Sequence, residues 1–370
     1  MSPSFPSLFP GMLLDSASRY AQDHAAAQGL QGDPVRELGW TATLVPEDCE
    51  GVGGTMADLA SIIEGLATHG LDLPVVETCA VAPLLLQAAP LETARRWLEA
   101  VADGTAKIVP LSALSSTPDE LVVHARHLDI GFELDGSVQG VDVSLPATHF
   151  LVPAVSDGEC AIFLVDAERI GAPSATYRTM EGRRCADFTL ARLAVPEGAC
   201  IARGAAASEA LAAATDAALL LTAADTVAAL AALIQQTVAH LKERRQFGVA
   251  LSTFQVLRHR TADMYVKYLG AKGLVIHAFQ QHEQEAADLR RTLRLVKVSL
   301  AESSRACAEA AIQMHGGMGM SEEVLATRLA QRLLASEFRY GDRLTHAAQL
   351  LAPQPASDQG SFSNLTGSAR

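Results

Sequence analysis

The apolar segment 217–234, AALLLTAADTVAALAALI, restricts the possible folds more than any other feature of the chain. Between residues 211 and 242 the larger apolar side chains recur three, four or seven residues apart, as on one face of a helix. They are Leu220, Val227, Leu230, Ile234, Val238 and Leu241. Asp225 and two threonines interrupt the segment, and small alanines dominate it. We therefore predict a helix buried in a bundle and not a membrane span.

The residue pattern of the chain changes twice along its length. Residues 1–105 carry apolar residues at helical spacing, as at Leu59, Ile62, Ile63 and Leu66, and predict a helical domain. Short β-type runs separated by Asp-Gly and Pro-Glu-Gly turns fill residues 106–203 and predict an antiparallel β domain. Residues 204–352 predict a helix bundle, and residues 353–370 a disordered tail.

The predicted fold class is therefore α+β, with an N-terminal all-α domain, a middle β domain and a C-terminal four-helix bundle. After the first bundle helix, further helices are predicted at 254–281, 283–315, 321–337 and 341–352.

Composition and charge exclude several classes of function. The formal net charge of −13, without a basic run, argues against nucleic-acid binding and against an anionic membrane surface. The six cysteines are scattered without metal-ligand spacing, which is typical of buried thiols in a reducing compartment. No signal peptide is recognisable, so we expect a cytoplasmic protein.

Two bundle segments carry features that suit phosphate binding: the first has an arginine, and the second has adjacent glycines. In ERRQFGVALSTFQ, residues 243–255, Arg244 offers a planar fork suited to a pyrophosphate. Phe247 supplies an apolar wall, and Gln255 both donates and accepts hydrogen bonds. In QMHGGMGM, residues 313–320, adjacent glycines let backbone N–H groups approach an anion.

Each of these residues also has a simpler interpretation. Arg244 could cap a helix C-terminus, and the glycine pair Gly316 and Gly317 could be a helix C-cap. His315 could be a structural residue. The joint occurrence of the motifs favours a binding role.

Three stretches, in this order after an α-then-β half, resemble the acyl-CoA dehydrogenases. They are ERRQFGVALSTFQ (243–255), AIQMHGGMGMSEE (311–323) and QRLLASEFRYGDRLTH (331–346). The resemblance implies FAD as cofactor and an acyl-CoA thioester as substrate, and an electron-accepting flavoprotein is expected as a further partner. It also implies that the diphosphate and adenosine end of FAD is held across a subunit interface. The residues expected there are Arg244, Phe247, Gln255, Gln313, Met314, His315, Gly316 and Gly317.

The same resemblance identifies a missing catalytic base. Most members carry a glutamate directly before the glycine of the last motif, where this chain has Tyr340. A minority carry it early on the first bundle helix, at a site that falls near Ala218. Asp216 lies about 200° around the helix from that site. Glu337 could be a helix-surface charge, and Asp342 could be an unusual base, pair with Arg343 or cap the last helix.

The β domain also departs from the family pattern. Its flavin-facing strand lacks a tryptophan, because Trp40 and Trp97 are the only ones and both precede it. The segment LSALSS, residues 111–116, lacks the glutamate and the glycine–serine–aspartate of the expected loop.

These departures resemble the small subunits of heteromeric acyl-CoA dehydrogenases of steroid or other lipid catabolism. We therefore expect an α2β2 assembly in which a homologous subunit supplies the glutamate, with no catalytic residue in this chain. Asp342 and His346, four residues apart on a helix, could meet. A homomeric enzyme using Asp342, a flavin-free structural subunit and a flavin monooxygenase remain alternatives.

Overall fold

The structure is a computed structural model that describes residues 5–24, 32–112, 114 and 121–352. The predicted tail, 353–370, lies outside the described residues. Helices at both ends of the chain flank a central sheet, which confirms the predicted fold class.

The N-terminal part is helical up to residue 102. Its helices are α1 (Met12–His24), α2 (Pro34–Glu37), α3 (Met56–Ala67), a π-helical turn (Val76–Val81), α4 (Ala82–Leu86) and α5 (Leu91–Ala102). Short 3₁₀ turns cover Trp40–Ala42 and Glu47–Cys49. A capping box begins α3, because the Thr55 side chain accepts from the Asp58 backbone N–H while the Asp58 carboxylate accepts from that of Thr55. The predicted apolar face of α3 is buried, as expected.

The middle part is a single eight-stranded sheet with one short helix. Its elements are β1 (Ile108–Pro110), β2 (Val123–His127), β3 (Phe132–Asp142), β4 (His149–Ser156), β5 (Glu159–Asp166), α6 (Ala167–Ile170), β6 (Ala175–Arg178), β7 (Arg184–Val195) and β8 (Cys200–Arg203). The strand order is β6-β7-β3-β2-β4-β5-β8, with β1 also on β4. The sheet is mixed and not purely antiparallel as predicted: β1 and β2 run parallel to β4. Strands joined by tight turns, such as β4 and β5, pair antiparallel, whereas these two reach β4 through longer connections.

The C-terminal part is a bundle around one central helix. It contains α7 (Gly204–Glu243), a hairpin of β9 (Arg245–Gln246) and β10 (Val249–Ala250), α8 (Gln255–Glu283), α9 (Leu289–His315), a 3₁₀ turn (Gly316–Met320), α10 (Leu325–Ser336) and α11 (Arg343–Leu351). Helix α9 begins six residues later than predicted. Glu285 has φ +49° and the chain turns there before Asp288, which precedes the first turn of α9.

Helix α7 is buried around its whole circumference in its middle. It packs against α3, α8, α9 and α10, so the predicted apolar stripe is only part of its buried surface. Small alanines let neighbouring helices approach on every side. The helix is long and apolar enough to cross a membrane, yet 94% of its most apolar window is buried inside the molecule. The prediction of a buried bundle helix is confirmed. All six cysteines are free.

Candidate cofactor and substrate site

The helices that adjoin the two predicted phosphate-binding segments contact each other at one end of the bundle. His240, near the end of α7, stacks on His315 at the end of α9, with ring centroids 4.3 Å apart. The hydroxyl oxygen of Thr261, in the second turn of α8, lies 3.9 Å from the Met314 sulfur. We call the exposed residues here the nucleotide face: Arg244, Phe247, Gln255, Gln313, Gly316 and Gly317.

A strained hairpin forms the tip of the nucleotide face. Gln246 pairs with Val249, which leaves Phe247 and Gly248 as a two-residue turn with φ +54° and +80°. Such turns favour asparagine followed by glycine, and a phenylalanine in the left-handed region is costly. The Phe247 side chain is nevertheless 90% exposed. A phenylalanine with a strained backbone and a ring exposed to water indicates a surface that another group covers.

The glycine pair leaves bare backbone at the C-terminus of α9. Gly316 has φ +61° at the C-terminus of α9, and its N–H donates to the Ile312 carbonyl. A Cβ atom added at Gly316 or Gly317 would meet nothing within 4 Å. The helix-capping interpretation is therefore correct for Gly316, and it is compatible with an open anion site because both glycines face free space.

Met314 and His315 differ from the rest of the predicted set because their side chains are buried. Burial and the neighbouring His240 lower the pKa of His315 to about 4, so its ring is neutral near pH 7. A cofactor contact at these two positions would come from the backbone.

At the expected base position, Tyr340 is bound to another part of the chain. Its hydroxyl donates to Oε1 of Glu77, in the π-helical turn, across 2.7 Å. Arg183 and Arg339 donate to the same oxygen, each across 3.1 Å. Burial alone would raise the pKa of Glu77, but these two guanidinium groups lower it to about 2. The neighbourhood of position 340 is ionic and occupied by the chain itself.

More ion pairs extend this arrangement into a charge cluster. Its members are Asp72, Glu77, Asp142, Arg183, Asp225, Arg332, Arg339 and Tyr340. Arg183 Nη2 lies 2.7 Å from Asp142 Oδ2, and Arg183 Nε lies 3.3 Å from Asp72 Oδ2. Arg332 binds the Asp225 carboxylate through Nε and Nη2 and donates from Nη1 to the Leu71 carbonyl.

The cluster contains four carboxyl groups and three guanidinium groups. Burial raises the pKa of Asp142 despite the adjacent Arg183. Burial would also raise the pKa of Asp72, but three arginines lower it to about 2.

The carboxylates considered as replacement bases are all engaged. Asp216 pairs with Arg290 through both oxygens, at 3.2 and 3.0 Å. Glu337 is buried, not a surface charge, and pairs with Arg305 at 2.9 Å. Asp342 caps α11 by accepting from the backbone N–H of Thr345, as one interpretation of the sequence expected. Ala218, at the alternative base site, is fully buried.

The expected contact between Asp342 and His346 is replaced by a different one. The His346 ring places Nε2 3.0 Å from the Tyr340 carbonyl oxygen, while Asp342 is occupied by Thr345. Of the segment 111–116, only residues 111, 112 and 114 are described, so the predicted loss of its loop stays a prediction.

Most of the charge cluster was not predicted from the sequence, because its members are scattered between positions 72 and 340. Asp225 was the one available signal: a carboxylate in the middle of an apolar helix requires a buried cation. Its partner Arg332, 107 residues later, has no spacing that would identify it.

Comparisons with known proteins agree with this architecture. A model of the acyl-CoA dehydrogenase N-terminal domain matches residues 12–105, and one of the acyl-CoA dehydrogenase C-terminal domain matches residues 201–350. The acyl-CoA dehydrogenase IpdE2 of Mycolicibacterium smegmatis is 24% identical over 326 residues, which cover 84% of this chain and 88% of the relative.

Solved structures show the same fold. The ChsE4-ChsE5 complex from Mycobacterium tuberculosis contains a chain that matches with TM-score 0.80 and 19% identity, over 95% of this chain and all of that one. A Tcur3481-Tcur3483 steroid ACAD variant matches with TM-score 0.77 and 24% identity, over 91% of this chain and 95% of that one. The chain belongs to the acyl-CoA dehydrogenase family, whose members are FAD-dependent oxidoreductases that act on acyl-CoA.

Proposed function

We propose that this chain is the base-deficient subunit of a heteromeric acyl-CoA dehydrogenase. It supplies contacts to the phosphate end of FAD, and a homologous partner subunit supplies the glutamate that accepts the α-proton. FAD, when bound, provides the oxidising chemistry for α,β-dehydrogenation of the thioester. The observation that carries the proposal is the contrast between an exposed nucleotide face and a base position occupied by Tyr340.

The nucleotide face fits the phosphate end of a dinucleotide. Arg244 is a permanent cation with five N–H donors, and the bare backbone at Gly316 and Gly317 can approach phosphate oxygens. Gln255 and Gln313 are exposed and can donate or accept hydrogen bonds to a nucleotide. The exposed Phe247 offers an apolar contact of the kind that a partner chain or a cofactor ring would cover.

The base position does not fit proton abstraction. A tyrosine whose pKa is raised by burial and by Glu77 cannot serve as a base near pH 7. Glu77 cannot replace it, because a carboxylate with a pKa of about 2 and three donors on one oxygen is a weak proton acceptor.

Two similar structures support a heteromeric assembly and a lipid substrate. One is described as a complex of ChsE4 with ChsE5, and the other as a steroid ACAD. By analogy we propose an α2β2 complex in the cytoplasm that acts on a steroid or other bulky lipid thioester. An electron-accepting flavoprotein would reoxidise it.

Flavin stoichiometry tests this proposal. The chain is co-expressed with a homologous subunit that carries the glutamate, and bound flavin is measured by absorbance against total protein. We expect half as many flavins as chains. A full complement of FAD on this chain purified alone would contradict the proposal.

Two variants separate the alternatives. If the chain is a homomeric enzyme using Asp342, Asp342→Asn abolishes turnover of the homomer while bound flavin is retained. If the chain is a flavin-free structural subunit, Arg244→Ala leaves the flavin content of the assembled complex unchanged. We expect Arg244→Ala to lower that content and Asp342→Asn to leave turnover of the heteromer intact.

A further inference from the structure

Two histidine rings connect the helix ends at which the nucleotide face begins. His240 lies in the last turn of α7, and the Arg244 N–H donates to its carbonyl oxygen across 2.8 Å. His315 is the last residue of α9 and directly precedes Gly316. The two rings stack, with centroids 4.3 Å apart and an interplanar angle of 22°. The stacked pair is therefore adjacent to the arginine on one helix and to the glycines on the other.

The ring of His315 contributes a face and not a hydrogen bond. The residue is 8% exposed, and both of its ring nitrogens are buried without a hydrogen-bond partner within the described residues. Buried polar atoms normally have a partner, so this imidazole is not placed here for its own hydrogen bonds. Its contact with His240 is made by stacking. His240 itself is half-buried, so its ring can reach a ligand.

The surroundings of His240 disfavour a proton as long as no anion is near. Burial and then Arg244 lower the pKa of His240, while Glu243 opposes them. His315 faces it from α9, and within the described residues no charged group of α8 acts on either ring. An anion bound beside Arg244 offsets the repulsion and attracts a proton to His240. A protonated ring is also attracted to the face of a neutral aromatic ring.

We propose that His240 is a proton-linked contact to the diphosphate of FAD, held in place by the face of His315. The inference rests on the proposed function for what the nucleotide face binds, and it adds one residue and one proton to that site. On binding, the imidazole takes one proton from solvent, and its N–H groups donate to diphosphate oxygens. His315 stays neutral, because two adjacent imidazolium rings repel each other. His240 is the contacting residue, and His315 is its positioning residue.

The coupling has a definite sign. The pKa of His240 lies below its ordinary value in the free chain, and the bound diphosphate raises it. Between these two values FAD binding takes up a proton. The affinity for FAD therefore falls as pH rises, by at most about tenfold per pH unit from this residue. Below both values and above both, His240 makes no contribution to the pH dependence.

FAD affinity at several pH values tests the contact. The flavin-stripped complex with the glutamate-bearing subunit is titrated with FAD at pH 5.5, 6.5 and 8, as wild type and as His240→Phe. Phenylalanine keeps a ring on His315 but cannot hold a proton. We expect the variant to bind about tenfold more weakly than wild type at pH 5.5, and equally well at pH 8, because a charged hydrogen bond is lost only where His240 is protonated. A ratio that does not change with pH overturns the inference.

Three further variants control this experiment. His277→Phe replaces an exposed histidine near the other end of α8 and should match wild type at every pH. His315→Ala removes the stacked face and should weaken binding about fivefold at pH 5.5 and less at pH 8. His315→Phe restores a face and should recover most of that loss. Equal losses in the two His315 variants overturn its positioning role.

The wild-type full chain gives a readout that needs no variant, flavin or partner. Its histidine ring signals are followed by NMR from pH 5 to pH 8, with and without ADP-ribose, whose two phosphate groups each keep one negative charge over this range. We expect ADP-ribose to raise the midpoint of the His240 titration by about one pH unit, which corresponds to the tenfold ratio above. An unmoved midpoint overturns the inference. The flavin count tests the subunit role separately, so failure of one proposal is distinguishable from failure of the other.

Discussion

Three arginines of this chain show two contrasting environments. Arg183 and Arg332 have side chains only 8% exposed and bind carboxylates of distant segments. Arg244 is exposed at the end of α7, beside a strained phenylalanine, and within the described residues it has no salt bridge. A buried, paired arginine has completed its interactions within the chain. An exposed arginine without such a partner retains its capacity for a ligand. The same residue type therefore marks a closed site at one place and an open site at another.

The largest expected effect is on stability at the closed site. Arg183→Met should destabilise the isolated chain by about 3–5 kcal/mol, because it leaves three carboxyl groups without their shared cation. Urea denaturation measures the change, with Arg244→Met as the exposed control, expected to change the free energy of unfolding by less than about 0.5 kcal/mol. Similar losses in the two variants would remove the distinction between the sites.

The next effect is on cofactor binding at the open site. Arg244→Ala in the assembled complex should weaken FAD binding by about 10- to 150-fold, the factor for losing about 1.5–3 kcal/mol of charged hydrogen bonding. Fluorescence titration of the flavin-stripped complex gives the dissociation constant. Arg244→Lys should recover only part of the loss, since an ammonium group lacks the planar fork. Unchanged affinity in the alanine variant would place the phosphates elsewhere.

The free energy of unfolding should depend on pH through the buried Lys297. Burial, reinforced by Arg339, lowers the pKa of Lys297 to about 7, whereas the pKa of a lysine in the unfolded chain is about 10.4. Between these values the unfolded chain binds a proton that the folded chain has released. The contribution of Lys297 therefore makes stability rise with pH, by at most about 1.4 kcal/mol per pH unit.

Lys297→Met removes this contribution. The free energy of unfolding of wild type minus that of the variant should increase from pH 7 to pH 9 in urea denaturation. A constant difference across that range would mean that Lys297 keeps its proton in the folded chain.

The smallest expected effect, that of Phe247→Asn, should favour the isolated chain and disfavour the assembly. Phe247→Asn relieves a strained turn and should stabilise the isolated chain by about 1 kcal/mol. It should also weaken association with the partner, because an exposed ring is lost. Thermal unfolding and analytical ultracentrifugation measure the two. Val249→Asn, in the extended part of the same hairpin, should bring no gain in stability.

The sequence predicts those parts of the fold that depend on local periodicity. The apolar face of α3, the buried α7 and the start of α8, predicted at 254 and found at Gln255, follow from spacing and composition within short windows. The charge cluster does not, because most of its ion pairs connect residues about a hundred or more positions apart. The sequence could show that position 340 lacks a glutamate. Only the structure shows that Glu77 holds Tyr340 there.

The contact between Tyr340 and Glu77 also limits how this chain can evolve. A glutamate introduced at position 340 would place a second carboxylate within a few ångströms of Glu77, and two such groups cannot both ionise there. Regaining a base would therefore require a change at Glu77 as well, and with it new partners for Arg183 and Arg339. Each intermediate would leave buried charge uncompensated, so single substitutions cannot easily reverse the loss.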